Sequence, residues 1–514
     1  MREVNQISKN NSNGKNIASA IILLCIFLSL VFQLLFDFAS IFTNYSLNYN
    51  LFLNVYLLLF FLIIHLFIHG INKHFLLLSF YVCMFTFLMG QKLFVVLDGG
   101  SFDEFLTFRL LKLSGAEYFT FINLLYFSLF ALSLGYWTAK PQKVHVYANA
   151  DEERTAFEFM QRMRKILRVL YVITFLCALI MQLKIVISKG SLSYTDGYLV
   201  NVDVNPIIKI GNYMFIGIAF LYLACKPKKS EMFAVLFSFI LVEGVLQLFV
   251  GRRALIAQVA LFICWYCICY FKYDQKKLKW KHILLLIVLA IALIVLFYMV
   301  ELFRGNGRAG SISLMEIMNS FFVSTGGSDS TIANAIHYRN EFPKTGAVYF
   351  FAPLSDAVTD NALIRLFISV FTGKSVTSSA QGMNYLMQHD TFSHWLSYIV
   401  NPELYLSGYG MGSSYIAETY MAFGVVGVAV FSFLLGILIK KFKDMNNDSN
   451  KVYRKALIMF FVYNLFMLPR GSVFSSATDL LYLAFSFFIV KVIYELIYNS
   501  SKKACLEDNH GRVS

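Results

Sequence analysis

The chain has 514 residues, of which 58% are hydrophobic and only 14% charged, with a mean hydropathy of +0.63. A soluble chain carries nearer about 25% charged residues, so a soluble globular protein is excluded and an all-α polytopic integral membrane protein is expected. The net charge of +14 does not point to nucleic acid, because most basic residues stand in short stretches between apolar runs, where they set orientation.

Roughly 20 apolar residues cross a bilayer as a helix, and such runs recur along the chain. About twelve spans are expected, near 17–36, 51–70, 75–97, 118–138, 168–188, 206–225, 232–250, 254–271, 282–300, 416–439, 456–469 and 479–497. The first follows a polar, Asn-rich start and is long enough to stay as an anchor rather than be cleaved. Four intervening segments are clearly basic: 139–167, 226–229, 272–281 and 440–455. Twelve spans put all four on one side, the cytoplasmic side, together with both termini. The outer segments are then 37–50, 98–117, 189–205, the tight turn 251–253, the long loop 301–415 and the turn 470–478. Three regions follow: a membrane bundle over 1–300, a large loop over 301–415, and a second membrane region with a cytoplasmic tail over 416–514. The loop contains apolar clusters at 348–353 and 362–370, which read as amphipathic helices lying on the membrane or folding back over the bundle. The spans themselves are nearly free of charge.

Eight cysteines are present, none in an outer loop, so no outer disulfide framework is expected. Cys264 and Cys267 have the spacing of a metal or redox motif but lie mid-helix without a second pair, and packing accounts for them. No cluster of His, Cys and carboxylates has metal-ligand spacing. No Asp-x-Asp stands outside. No metal and no cofactor is expected.

Five arginines fall on the outer side, where the charge bias should avoid them. Arg252 and Arg253 form the minimal turn 251–253, Arg304 and Arg308 open the long loop with Gly305 and Gly307 between them, and Arg470 follows Pro469. Each alone could snorkel to lipid phosphate. As a set at span ends they would repel one another unless an anion bridged them, and a guanidinium fork fits a diphosphate. Glu418 lies just inside the outer end of a span, where a carboxylate is costly unless paired or hydrated. It could act as a general base or hold one of the arginines. His337, Asp329, Asp356, Asp360, Arg365, His389 and His394 lie in the long loop, within reach of a site or simply solvated. Tyr405, Tyr409, Tyr415 and Tyr420 cluster near the Gly-rich stretch before that span, where they could stack on sugar rings or pack.

Taken together, the multi-span layout, one dominant outer loop before a late span, the Arg252/Arg253 turn, the Arg304/Arg308 region, the run Gly410-Met411-Gly412-Ser413-Ser414-Tyr415-Ile416-Ala417-Glu418 and Arg470-Gly471 near the end resemble the O-antigen and repeat-unit polysaccharide polymerases called Wzy. The resemblance implies a metal-independent glycosyltransferase of the bacterial inner membrane. Such enzymes work on the periplasmic face, transferring a glycan from undecaprenyl diphosphate onto the next lipid-linked repeat unit. Partners would be those lipid-linked oligosaccharides, membrane lipids and a chain-length regulator. With no metal, Arg252, Arg253, Arg304, Arg308 and Arg470 would stabilise the departing diphosphate. Glu418 is the first candidate for the base, followed by Asp356 and His337, and Tyr409 and Tyr415 are candidates for sugar contact. An O-antigen ligase, or a flippase for the lipid-linked glycan, are the alternatives.

Overall fold

The computed structural model describes residues 2–42, 49–97, 99, 107–108, 111–140, 150–189, 202, 204–250, 252, 254–270, 295, 317, 321–322, 327–359, 361–372, 381–443 and 452–510. Among the described residues it is a helical membrane bundle with one two-stranded hairpin. The long helices are α1 (Arg2–Phe42), α2 (Tyr49–His69), α3 (Ile71–Leu97), α4 (Gly115–Thr138), α5 (Ala150–Lys189), α6 (Pro206–Ala224), α7 (Lys229–Phe249) and α8 (Ala254–Tyr270). Strands β1 (Thr107–Phe108) and β2 (Leu111–Lys112) pair antiparallel between α3 and α4. Short helices α9 (Asp329–His337), α10 (Gly346–Thr359), α11 (Ala362–Thr372), α12 (Met383–Gln388), α13 (Phe392–Val400) and α14 (Pro402–Leu406) follow. The chain then returns through α15 (Tyr415–Phe442), α16 (Val452–Leu465) and α17 (Ala477–His510).

Nine helices among the described residues are long and apolar enough to cross a membrane, against about twelve expected from sequence. Helices α8 and α16 stand where two further spans were expected, but they have only 17 and 14 residues. At about 1.5 Å per residue, the 14 residues of α16 fall short of a bilayer core of about 30 Å. The 3-10 turn Leu468–Arg470, with Pro469 as its second residue, follows α16 instead. The span expected at 282–300 lies outside the described residues.

Local sequence explains the helix starts. Ser114 and Glu117 cap α4 reciprocally, with the Ser114 N–H and hydroxyl donating to Glu117 Oε2 at 2.8 and 2.7 Å. Asn205 caps α6 ahead of Pro206, and Ser414 caps α15. Helices α3 and α7 each contain a π-turn, at Phe85–Met89 and Ile240–Val245. The Tyr56 hydroxyl donates to the Met89 carbonyl at 2.6 Å, satisfying a group at the end of the π-turn.

Without a hydrophobic drive between helices in lipid, close backbone packing and buried polar bonds hold the bundle. A polar ladder joins α1, α2 and α4. Ser29 donates to Asn54 (2.8 Å), Asn54 to Gln33 (3.0 Å), and Gln33 to Asn123 (2.8 Å). A second joins α5, α6 and α7, where Gln247 donates to Gln182 (3.0 Å) and Gln182 to Asn212 (3.3 Å). The most extensive helix pair is α4 with α15. A Cβ on Gly135 would lie 2.0 Å from the Phe433 carbonyl oxygen, and one on Gly436 would lie 2.0 Å from that of Leu132. Only glycine on both helices lets the backbones meet. Helix α15 is also broken at Gly424, whose φ of 68° and ψ of −165° lie outside the helical region and suit glycine.

Gly135→Ala and Gly436→Ala should each lower the unfolding temperature of the detergent-solubilised protein, by an amount equivalent to roughly 1–3 kcal/mol or more. Gly410→Ala, where an added Cβ meets nothing within 4 Å, serves as the control and should leave it unchanged. Equal behaviour of all three would refute the crossing.

Candidate functional site

The ends of α3, α5, α7 and α16 and the starts of α4, α6, α8, α15 and α17 share one end of the bundle. Helices α9 to α14 cover it. Helix α9 packs on α4 and α15, and α10 on α15 and α17. A Cβ on Gly346 would lie 1.9 Å from the Met421 carbonyl oxygen, so α10 begins against the α15 backbone. The Phe350 ring then meets Phe423 at 5.3 Å and Phe474 at 5.2 Å, fastening α10 to the turn that carries Arg470.

Glu418 is 2% exposed and makes three hydrogen bonds. Ser413 Oγ donates to its Oε1 at 2.6 Å, while Ser472 Oγ and the Val473 N–H both donate to its Oε2 at 3.0 Å. Thus the carboxylate grips the hydroxyl and backbone just past Arg470. These bonds tie the start of α15 to the turn that carries Arg470.

Arg470 is half-buried, its guanidinium 5.8 Å from the centre of the Phe87 ring. Arg252 is exposed in the turn between α7 and α8, with its N–H donating to the Gln247 carbonyl at 2.9 Å. Arg253, Arg304 and Arg308 lie outside the described residues, as does Asp360. Both of the described arginines of the set stand at the covered end of the bundle.

His337 Nδ1 lies 2.7 Å from Glu117 Oε1, so the end of α9 is buckled to the capping box of α4. Asp356 on α10 lies 3.1 Å from His389 Nδ1. Two of the three candidate bases therefore sit in His–carboxylate pairs, His337 through a hydrogen bond to Glu117 and Asp356 through an ion-pair contact with His389. The second pair continues into a stack: the Tyr385 ring is 4.4 Å from His389 and 4.5 Å from His394, and His394 Nδ1 is 3.1 Å from the Tyr405 hydroxyl. Burial, reinforced by the nearby His389, holds His394 down to about 4, while burial pushes the Tyr405 hydroxyl up to about 12. Both are neutral at pH 7. Arg339 lies with its guanidinium 4.8 Å from the Tyr420 ring.

Of the two tyrosines expected to contact sugar, Tyr409 is 42% exposed and remains open to a ligand. Tyr415 is 0% exposed, its ring packed 5.8 Å from Phe431 and its hydroxyl 3.4 Å from Ser432. The first turn of α15 places it toward α3 and the helix's own inner part.

Three charged groups were passed over by the reading that the spans are nearly free of charge. Glu243 stands in the π-turn of α7 and Asp479 in the first turn of α17, near enough to interact, with Arg252 in electrostatic reach of Glu243. Lys92 in α3 is 2% exposed and donates to the Thr107 carbonyl at 2.7 Å, with the Phe108 ring centre 3.6 Å away. The signal was available: an ionisable residue inside an apolar run is itself a functional flag.

Replacing Glu418 by Ala strands the donors of Ser472 and Val473. Buried unsatisfied donors cost about 1–3 kcal/mol each, so Glu418→Ala should unfold at markedly lower temperature and lose activity, whereas Glu418→Asp should retain part of both. A variant as stable as the parent would show that the grip is not structural. For His394 the folded value lies below the ordinary 6.5, so the unfolded chain binds a proton first as pH falls. Stability should drop between pH 6.5 and about 4 and level off below. Thermal unfolding of His394→Asn should lack this component; an unchanged pH slope would refute it.

No curated protein and no solved structure matches the chain at a significant level. The sequence model of the O-antigen polysaccharide polymerase Wzy family matches residues 21–503, nearly its whole length, and on that match this membrane protein, with its helix-covered end, belongs to that family.

Proposed function

We propose that the protein joins lipid-diphosphate-linked oligosaccharide repeat units into surface polysaccharide, with the chemistry at the bundle end covered by α9–α14, on the periplasmic face of the inner membrane. The observation that carries this reading is the placement of two arginine-bearing turns, Arg252 and Arg470, at that same end, in a chain of this family. An acceptor sugar hydroxyl attacks the anomeric carbon of the growing glycan. The new C–O bond forms as the bond to the diphosphate breaks, and the lipid diphosphate leaves with the electron pair. The hydroxyl proton passes to the Asp356–His389 pair, in which Asp356 orients the imidazole. The arginines Arg252, Arg253, Arg304, Arg308 and Arg470 take up the developing negative charge in place of a divalent cation. Each charge-assisted hydrogen bond contributes about 1.5–3 kcal/mol. Glu418 supports Arg470 by fixing the turn behind it. A lipid-linked donor fits a site at headgroup depth, and a chain-length regulator is the expected protein partner.

Deleting the gene in its host should leave a core carrying a single repeat unit, seen on a gel as loss of the ladder. Complete loss of the glycan would indicate a flippase or ligase instead. Restoring the gene as Arg470→Lys or Arg253→Lys keeps the charge but removes the fork, and Asp356→Asn removes the orienting carboxylate. Long chains should vanish in each despite normal membrane insertion. Loss of one electrostatic donor lowers rates by about 10²–10³, and loss of proton transfer by about 10²–10⁴. Polymerisation should continue in EDTA. Full ladders in the arginine variants would refute the diphosphate assignment.

A further inference from the structure

A cavity of about 370 Å³ opens between α9, α13 and α14. Its volume is at the lower end of the roughly 300–1,000 Å³ typical of small-ligand sites, which suits one substituted sugar ring better than a chain of them. Val400, Leu404 and Met411 supply an apolar wall, and Tyr409, 42% exposed, lines it as well. Two side-chain amides also line it, Asn334 and Asn401.

The orientation of each amide is fixed by its protein partner. Asn334, 2% exposed, donates through Nδ2 to the Ser330 carbonyl at 2.7 Å. Its carbonyl oxygen has no hydrogen-bond partner among the described residues. Asn401 caps α14, its Oδ1 accepting from the Leu404 N–H at 2.9 Å, which leaves its NH₂ without one. The cavity therefore carries one strong acceptor and one donor beside a hydrophobic wall. The two amides together suit a ligand that offers a donor and an acceptor next to an apolar group.

We propose that this cavity is a subsite for an N-acetylated sugar of the repeat unit. The acetamido N–H donates to Asn334 Oδ1, its carbonyl accepts from Asn401 Nδ2, and its methyl group lies on Val400, Leu404 and Met411. The Tyr409 ring then covers the apolar face of the pyranose. A plain hexose offers neither the methyl nor the paired amide. The inference deepens the polymerase reading and rests on it for biological meaning. The cavity adjoins the proposed base through touching groups, since Tyr405 lines it and leads by His394 and Tyr385 to His389 and Asp356.

The test uses the full chain in nanodiscs, with N-acetylglucosamine, N-acetylgalactosamine, glucose and galactose as probes in saturation-transfer NMR. The acetyl methyl protons of at least one acetamido sugar should receive the strongest transfer, with binding at least tenfold weaker for the parent hexoses. Asn401→Asp keeps the helix cap and removes the donor, so binding should fall at least tenfold without loss of thermal stability. Val400→Trp fills the cavity and should abolish it. Equal transfer to hexoses and acetamido sugars, or unchanged binding in Asn401→Asp, would overturn the proposal. So would occupancy by a decyl chain with no sugar signal, which would make the cavity a site for a lipid tail. The gene deletion reads the polymerase assignment separately: a retained ladder with intact acetamido binding would sink the polymerase reading and leave the subsite standing.

Discussion

The contact of α4 and α15, backbone against backbone, is the constraint on which the rest of the fold depends. Gly135 and Gly436 bring the two helices so close that each carbonyl occupies the place of a side chain on the other. Because lipid competes with apolar side chains on equal terms, this kind of close approach supplies the packing that the hydrophobic effect supplies in water. Helix α15 then becomes the post against which other parts are set. Gly346 brings α10 onto its Met421 carbonyl, α9 lies against it, and Glu418 reaches across from it to Ser472 and Val473.

A single carboxylate thus links the glycine-rich lead-in to α15 with the turn after α16. Ser413 holds one oxygen and the Arg470–Val473 segment holds the other. The arrangement separates two jobs that a carboxylate near arginines could share. Fixing the Arg470 turn through the Ser472 hydroxyl and the Val473 N–H holds its position without a direct carboxylate–guanidinium contact from Glu418. At the Asp356–His389 pair the order is reversed, since there the carboxylate lies beside an ionisable ring.

The spans of the bundle were legible because a run of apolar residues long enough to cross a bilayer is a local property. Its limits were visible too: α16 reads as apolar through Pro469 but ends as a helix at Leu465, where the following turn changes its course. Glu418 was legible as an anomaly, a carboxylate at a span end. Its partners were not, because Ser472 lies 54 residues on and only helix packing order brings them together. Tyr409 and Tyr415 read alike in one glycine-rich stretch, yet one is 42% exposed and the other 0%. Tyr409 stands in the stretch before the helix, while Tyr415 opens it just after the cap at Ser414 and turns inward. The His389 partner of Asp356 is separated from it by α11 and α12, a distance no local pattern spans.

The break at Gly424 leaves the first nine residues of α15, Tyr415 to Phe423, aligned by their neighbours rather than by the rest of their own helix. The inner part, beyond the break, meets the bilayer. A membrane that thickens or thins is accommodated by tilt, at a modest energy for each ångström of mismatch. Here that tilt can be absorbed at one glycine. The segment that carries Glu418, and through it the Arg470 turn, keeps its place relative to α9 and α10. The end of the bundle that carries Glu418 and the Arg470 turn is thereby insulated from the lipid composition in which the chain is embedded.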